Sequence, residues 1–72
     1  MTLVTCPINK PIKIKHINMD ASSTFRISRL GINPNQECTV ILRHKHHIIV
    51  SVKGVRYGLD HTSARCIEVD YD

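Results

Sequence analysis

The sequence predicts a mainly β fold: a small, partly open, SH3-like barrel of about five strands with one short inserted α-helix. Three observations carry this expectation. Short stretches of alternating apolar and polar residues recur along the chain, which is the period of a half-buried strand. A compact turn signal, Lys53-Gly54, falls between two of them. A single stretch, Asp20 to Gly31, carries helix start and stop signals instead.

The elements follow in order. Between Pro11 and Ile17, Ile12 and Ile14 share one face and Lys13 and Lys15 the other. Asp20 or a following serine is placed to cap a helix of two to three turns. Ile27 and Leu30 would share its inner face, and Phe25 falls on the opposite side. Gly31 stands where a helix C-cap is expected, and Asn33-Pro34-Asn35 is turn chemistry.

Beyond that turn, Cys38, Val40 and Leu42 alternate with polar neighbours, then Ile48, Val50 and Val52, then Val55, Tyr57 and Leu59, and finally Ile67, Val69 and Tyr71. Pairing like faces puts Leu42 opposite Ile48, Val40 opposite Val50 and Val52 opposite Val55. It leaves an odd-numbered loop within Arg43 to His47. Asp60 would cap a short turn through Ala64.

The chain has 72 residues, read as one domain over 1–72. Only Phe25, Tyr57 and Tyr71 are aromatic, so the core is expected to be aliphatic, built from Ile and Val. No apolar window approaches the ~20 residues of a membrane helix, and no basic, apolar leader opens the chain. The three cysteines Cys6, Cys38 and Cys66 form no C-x-x-C pair, which suits free thiols in a reducing, cytoplasmic compartment.

The formal charge is +4, but the basic residues are scattered and are not interleaved with aromatics. That pattern speaks against a base-stacking nucleic-acid platform. The glycines are isolated, so no phosphate-binding loop is present. Asp60-His61 with a nearby serine makes a poor catalytic triad, because adjacent side chains on a turn rarely share the required geometry. The expectation is a binding protein without enzymatic activity.

Two groups of residues are candidates for that binding. Phe25, flanked by Arg26 and Arg29, forms an apolar anchor with a basic rim on the outer helix face. Ile41 and Ile49, on the outward parity of adjacent strands and expected to face each other, add an apolar strand surface. The His-rich hairpin tip, His44, His46 and His47, is the candidate transition-metal site, suited to Fe²⁺ or Zn²⁺.

The run Arg29-Leu30-Gly31-Ile32-Asn33-Pro34-Asn35-Gln36-Glu37-Cys38-Thr39-Val40 resembles the L-G-[IL]-x-P-G-x-x-V signature of FeoA-type proteins. Val52 to Leu59 resembles that family's second hairpin, and Ala64, Ile67 and Val69 fit its closing A-x-x-I-x-V. The likeness spans the chain from near Pro7 to the last strand. It departs at Asn35 and Asn9, where glycine is usual, and at Asp60, where a basic residue is common.

The resemblance implies a cytoplasmic accessory of ferrous-iron uptake. Its partner would be the cytoplasmic G domain of the FeoB-type membrane GTPase transporter, with the membrane reached only through that partner. Three alternatives stand beside it. One is a metal-responsive module using the histidine tip, and another the stand-alone equivalent of the barrel domain of iron-dependent repressors. The third is a small-barrel nucleic-acid binder. A homo-oligomer formed through exposed strand edges is also expected to be accessible.

Overall fold

The computed structural model describes residues 1–71; Asp72 lies outside them. Strand β1 covers Pro11–Ile17, and its burial alternates as the sequence requires, with Ile12 and Ile14 inside. Pro11 occupies the first strand position, where its missing N–H costs the ladder least.

Helix α1 covers Ala21–Ser28, and the Asp20 carboxylate accepts the Ser23 amide at 2.7 Å as its N-cap. The helix stops after two turns. Arg29 is the C-cap, and Gly31 follows at φ +91°, a region open to glycine without strain. Ile27 faces the core, but Leu30 lies beyond the helix end and is 37% exposed. The expected Ile27–Leu30 face is therefore one residue deep, because Leu30 no longer follows the helical period.

Strands β2 (Glu37–Arg43), β3 (His47–Val52) and β4 (Val55–Asp60) form two successive hairpins. Helix α2 (His61–Arg65) and strand β5 (Ile67–Asp70) follow. All pairings are antiparallel, in the order β4-β3-β2-β1-β5. The sheet is not closed, since its terminal strands β4 and β5 do not pair with each other. The five strands and inserted helix match the expected class, and α2 replaces the short turn expected after Asp60. Asp60 does cap it, accepting the Ser63 amide at 2.8 Å. Tyr71 lies just past the end of β5 and is 42% exposed.

The β3–β4 hairpin has the expected register, Val52 opposite Val55. Lys53 at φ +52° and Gly54 at φ +82° close it, both in the positive-φ region that suits a tight hairpin turn. The β2–β3 hairpin differs. Val40 does face Val50, but the register then shifts, so that Leu42 faces Ile49 and Arg43 faces Ile48. Ile41 occupies the irregularity and does not face Ile49. One extra residue in a strand reverses the parity of all that follow. Leu42 thus turns out, 43% exposed, and Arg43 ends β2 instead of opening the loop.

Within this frame the core is aliphatic, as composition requires, and among the described residues it includes no polar or charged one. Val40, Ile48, Val50, Ile67 and Val69 line it from the strands, and Ile27, Ile32 and Ala64 close it. The N-terminal segment, unassigned from sequence, also belongs to it: Leu3 and Cys6 are each 1% exposed. Asn9 and Asn35, the two glycine departures, both adopt positive φ, +62° and +73°. Asparagine tolerates that region better than most residues.

Candidate partner-binding surface

Helix α1 presents the first candidate group. Phe25 is 66% exposed, and Arg26 and Arg29 are exposed on the same short helix. Ile27 anchors α1 to the core from its other side. A large aromatic at this exposure gains little from the fold's own packing, so the helix carries an apolar side chain free for another molecule. Its basic neighbours favour an acidic counterpart.

Ile41 and Ile49 are half-buried. Ile49 projects from the outer face of the sheet, where it shares a cross-strand row with Leu42 and Gly58. Ile27 reaches the core from the other side. The structure therefore does not merge the α1 group and Ile49 into one patch. Leu42, not Ile41, is the apolar partner of Ile49, a change made by the β2 irregularity.

At the hairpin tip, His44, His46 and His47 are all exposed. The His44 and His47 rings lie 5.1 Å apart at 45°. The His44 N–H donates to the His47 carbonyl at 2.9 Å. A further histidine, missed from sequence, joins them: His61 Nε2 lies 2.7 Å from the His44 carbonyl oxygen. The register that pairs Val52 with Val55 also pairs His47 with Asp60, and so brings His61 to the tip. Among the described residues, no three His, Cys, Asp or Glu side chains are grouped as metal ligands.

The cysteines are free thiols. Burial pushes the Cys38 thiol up to about 11. Burial also raises Cys6, against the opposing pull of the Arg43 guanidinium beside it. Neither has the depressed pKa of a reactive nucleophile. A shallow depression bordered by Pro11, Ile12, Lys13, Glu37 and Asp70 contains no nucleophile–base pair.

The FeoA domain family matches residues 1–71, essentially the entire chain. The chain belongs to the FeoA family. FeoA-type solution structures share its fold. The iron(II) transport protein A of Clostridium thermocellum superposes with a TM-score of 0.89 at 19% identity, over 99% of this chain and 45% of that one. The FeoA protein of Chlorobium tepidum gives 0.89 at 16% identity, over 99% and 70%. A FeoA-like protein of Clostridium acetobutylicum gives 0.82 at 19% identity, over 99% and 85%. This chain thus spans under half the length of the Clostridium thermocellum protein. No curated protein sequence matches it significantly. No helix among the described residues is long and apolar enough to cross a membrane.

Proposed function

We propose that this FeoA-family chain is a cytoplasmic, non-enzymatic accessory of ferrous-iron uptake that docks on the G domain of a FeoB-type membrane GTPase transporter. The observation that carries the docking surface is Phe25: 66% exposed on α1, pointing away from the core that Ile27 enters, with Arg26 and Arg29 beside it. A buried aromatic anchor with a charged rim is the common composition of an interface hot spot. The Ile49 surface lies on the other side of the sheet and would meet a different region of the partner.

Two rings, His44 and His47, approach one another, and no third ligand joins them among the described residues.

The test is a pull-down of the soluble G domain by wild type and by Phe25→Asp, with and without guanine nucleotide. Wild type should retain the G domain. The variant should lose at least about tenfold in affinity, the loss typical of a hot-spot residue, with an unchanged circular dichroism spectrum. Equal retention by both would remove α1 as the docking face.

A further inference from the structure

The two edges of the sheet are treated differently. The outer edge of β5 is covered by the N-terminal segment: Thr2 bridges Glu68, the Leu3 amide donates to Ile67 O at 3.2 Å, and the Val69 amide donates to Met1 O at 2.8 Å. The outer edge of β4 has no such cover among the described residues. Arg56, Gly58 and Asp60 on that strand are all exposed. The β3–β4 ladder is also regular over its whole length, from Val52↔Val55 to His47↔Asp60. Proline, a bulge, an inward-pointing charge or like charges along the edge can blunt it. β4 has no proline, bulge or inward charge, and its two charges, Arg56 and Asp60, are of opposite sign.

The hairpin fixes which backbone groups point outward. A two-residue turn makes its flanking pair, Val52 and Val55, a hydrogen-bonded pair, and antiparallel pairs alternate from there. Val50/Tyr57 and Ile48/Leu59 are therefore also hydrogen-bonded pairs. The N–H and C=O groups of Arg56 and Gly58 are left facing the open edge.

An antiparallel dimer about a two-fold axis places one residue of β4 opposite its own copy. Centring on Tyr57 sets Arg56 against Gly58 and centring on Leu59 sets Asp60 against Gly58, so neither pairs opposite charges. Centring on Arg56 would set two guanidinium groups against each other, and centring on Asp60 would do the same with two carboxylates. Centring on Gly58 gives the opposite result. Each Arg56 then faces the second copy's Asp60, and Tyr57 lies across from the second copy's Leu59. Arg56 has no ion-pair partner within the described residues. The charge sequence of β4 is thus complementary to itself in one register only.

The outer face agrees with that register. Gly58 offers no side chain at the axis, and Ile49 Cδ1 lies 3.7 Å from where a Gly58 Cβ would stand. Leu42, Ile49 and Gly58 form one cross-strand row. In the dimer that row meets its own copy end to end, extending an apolar strip that each monomer leaves partly exposed.

We propose that two copies of this chain associate by antiparallel pairing of their β4 edges about a two-fold axis at Gly58, each Arg56 facing Asp60 of the second copy. The result is a continuous ten-stranded sheet. An edge contact of this kind is small, so the dimer is weak and reversible. Phe25 takes no part in it, so Phe25→Asp separates it from the α1 docking face of the transporter reading.

The test is sedimentation equilibrium on wild type, Arg56→Glu and Gly58→Pro, at low salt and up to about 1 mM protein, the range of weak complexes. Wild type should populate a dimer that weakens with salt. Arg56→Glu places a carboxylate against Asp60 and should raise the dimer Kd at least about tenfold. Gly58→Pro removes the central donor on the edge side, where the monomer does not use it, and should abolish the dimer. In a mixed-isotope sample, an intermolecular Hα–Hα contact between Tyr57 and Leu59 should appear. Wild type that stays monomeric throughout, or a dimer that survives Arg56→Glu unchanged, overturns the proposal. Arg56 is exposed, so that variant decides even if Gly58→Pro fails to fold. Phe25→Asp should leave dimerisation as it is.

Discussion

Cys38 sits in the core beside Cys6, 4% exposed, and burial lifts its pKa from 9.0 to about 11. The direction has a consequence for stability. A thiol whose pKa is higher when folded holds its proton more tightly in the native state, so folding is favoured fully below the unfolded value and less above it. Cys6 shifts the same way. The urea midpoint should therefore fall as pH rises from about 9 toward 11, a window set by the two Cys38 values. Cys38→Ala, less stable overall from its cavity, should show a flatter profile across that window. An equally steep fall in the variant would assign the loss to other groups. The inward parity of Cys38 was readable from its alternation with Val40. The burial of Cys6 was not, since it precedes any regular element and depends on where the N-terminal segment packs.

At the scale of elements, the caps and the tight hairpin were written locally, and the β2 irregularity was not. Asp20 and Asp60 cap α1 and α2 through the Ser23 and Ser63 amides, and those bonds hold both carboxyls below their usual range. Each such contact spans three residues, so a sequence displays it. Lys53-Gly54 is equally local. Nothing lies within 4 Å of where a Gly54 Cβ would stand, so Gly54→Ala meets backbone strain at φ +82° and no clash. It should destabilise by about 1 kcal/mol, read from the shift in urea midpoint at unchanged slope. A neutral result would mean that the turn relaxes to another type. Ile41 obeys no such local signal. Alternation through Cys38, Val40 and Leu42 reads as an unbroken strand, yet the β2–β3 register shifts after Val40. Its effect is to turn Leu42 out and Arg43 in.

Arg43 belongs to the scale of the whole molecule, because it joins parts of the chain some forty residues apart. Its guanidinium donates to the carbonyls of Leu3 and Cys6 at 2.9 and 2.6 Å and approaches Cys6 Sγ at 3.5 Å. Its Nε is buried without a hydrogen-bond partner. This side chain holds down the segment that covers the β5 edge and inserts Leu3 into the core. Arg43→Met keeps much of the apolar stem but leaves two carbonyls without their donor. It should cost about 1–3 kcal/mol, and the amides of Leu3, Cys6 and Val69 should exchange faster. Unchanged exchange there would show that Leu3 burial alone holds the segment. The same edge accounting leaves β4 as the uncovered side of the sheet, which is where self-association is placed.

The sequence by itself determined the five strands and α1, the aliphatic core, the caps, the β3–β4 register and the family resemblance, since each rests on residue type or on neighbours within a few positions. Asn9 and Asn35 kept their left-handed positions despite the missing glycine for the same reason. The tertiary structure alone decided the Ile41 irregularity, the exposure of Leu42 and Leu30, the packing of Leu3 and Cys6, and the approach of His61 to the histidine tip. Those depend on contacts between segments distant in the chain, whose energies come from twist, burial and edge satisfaction across the fold. Alternation within a single strand records none of these.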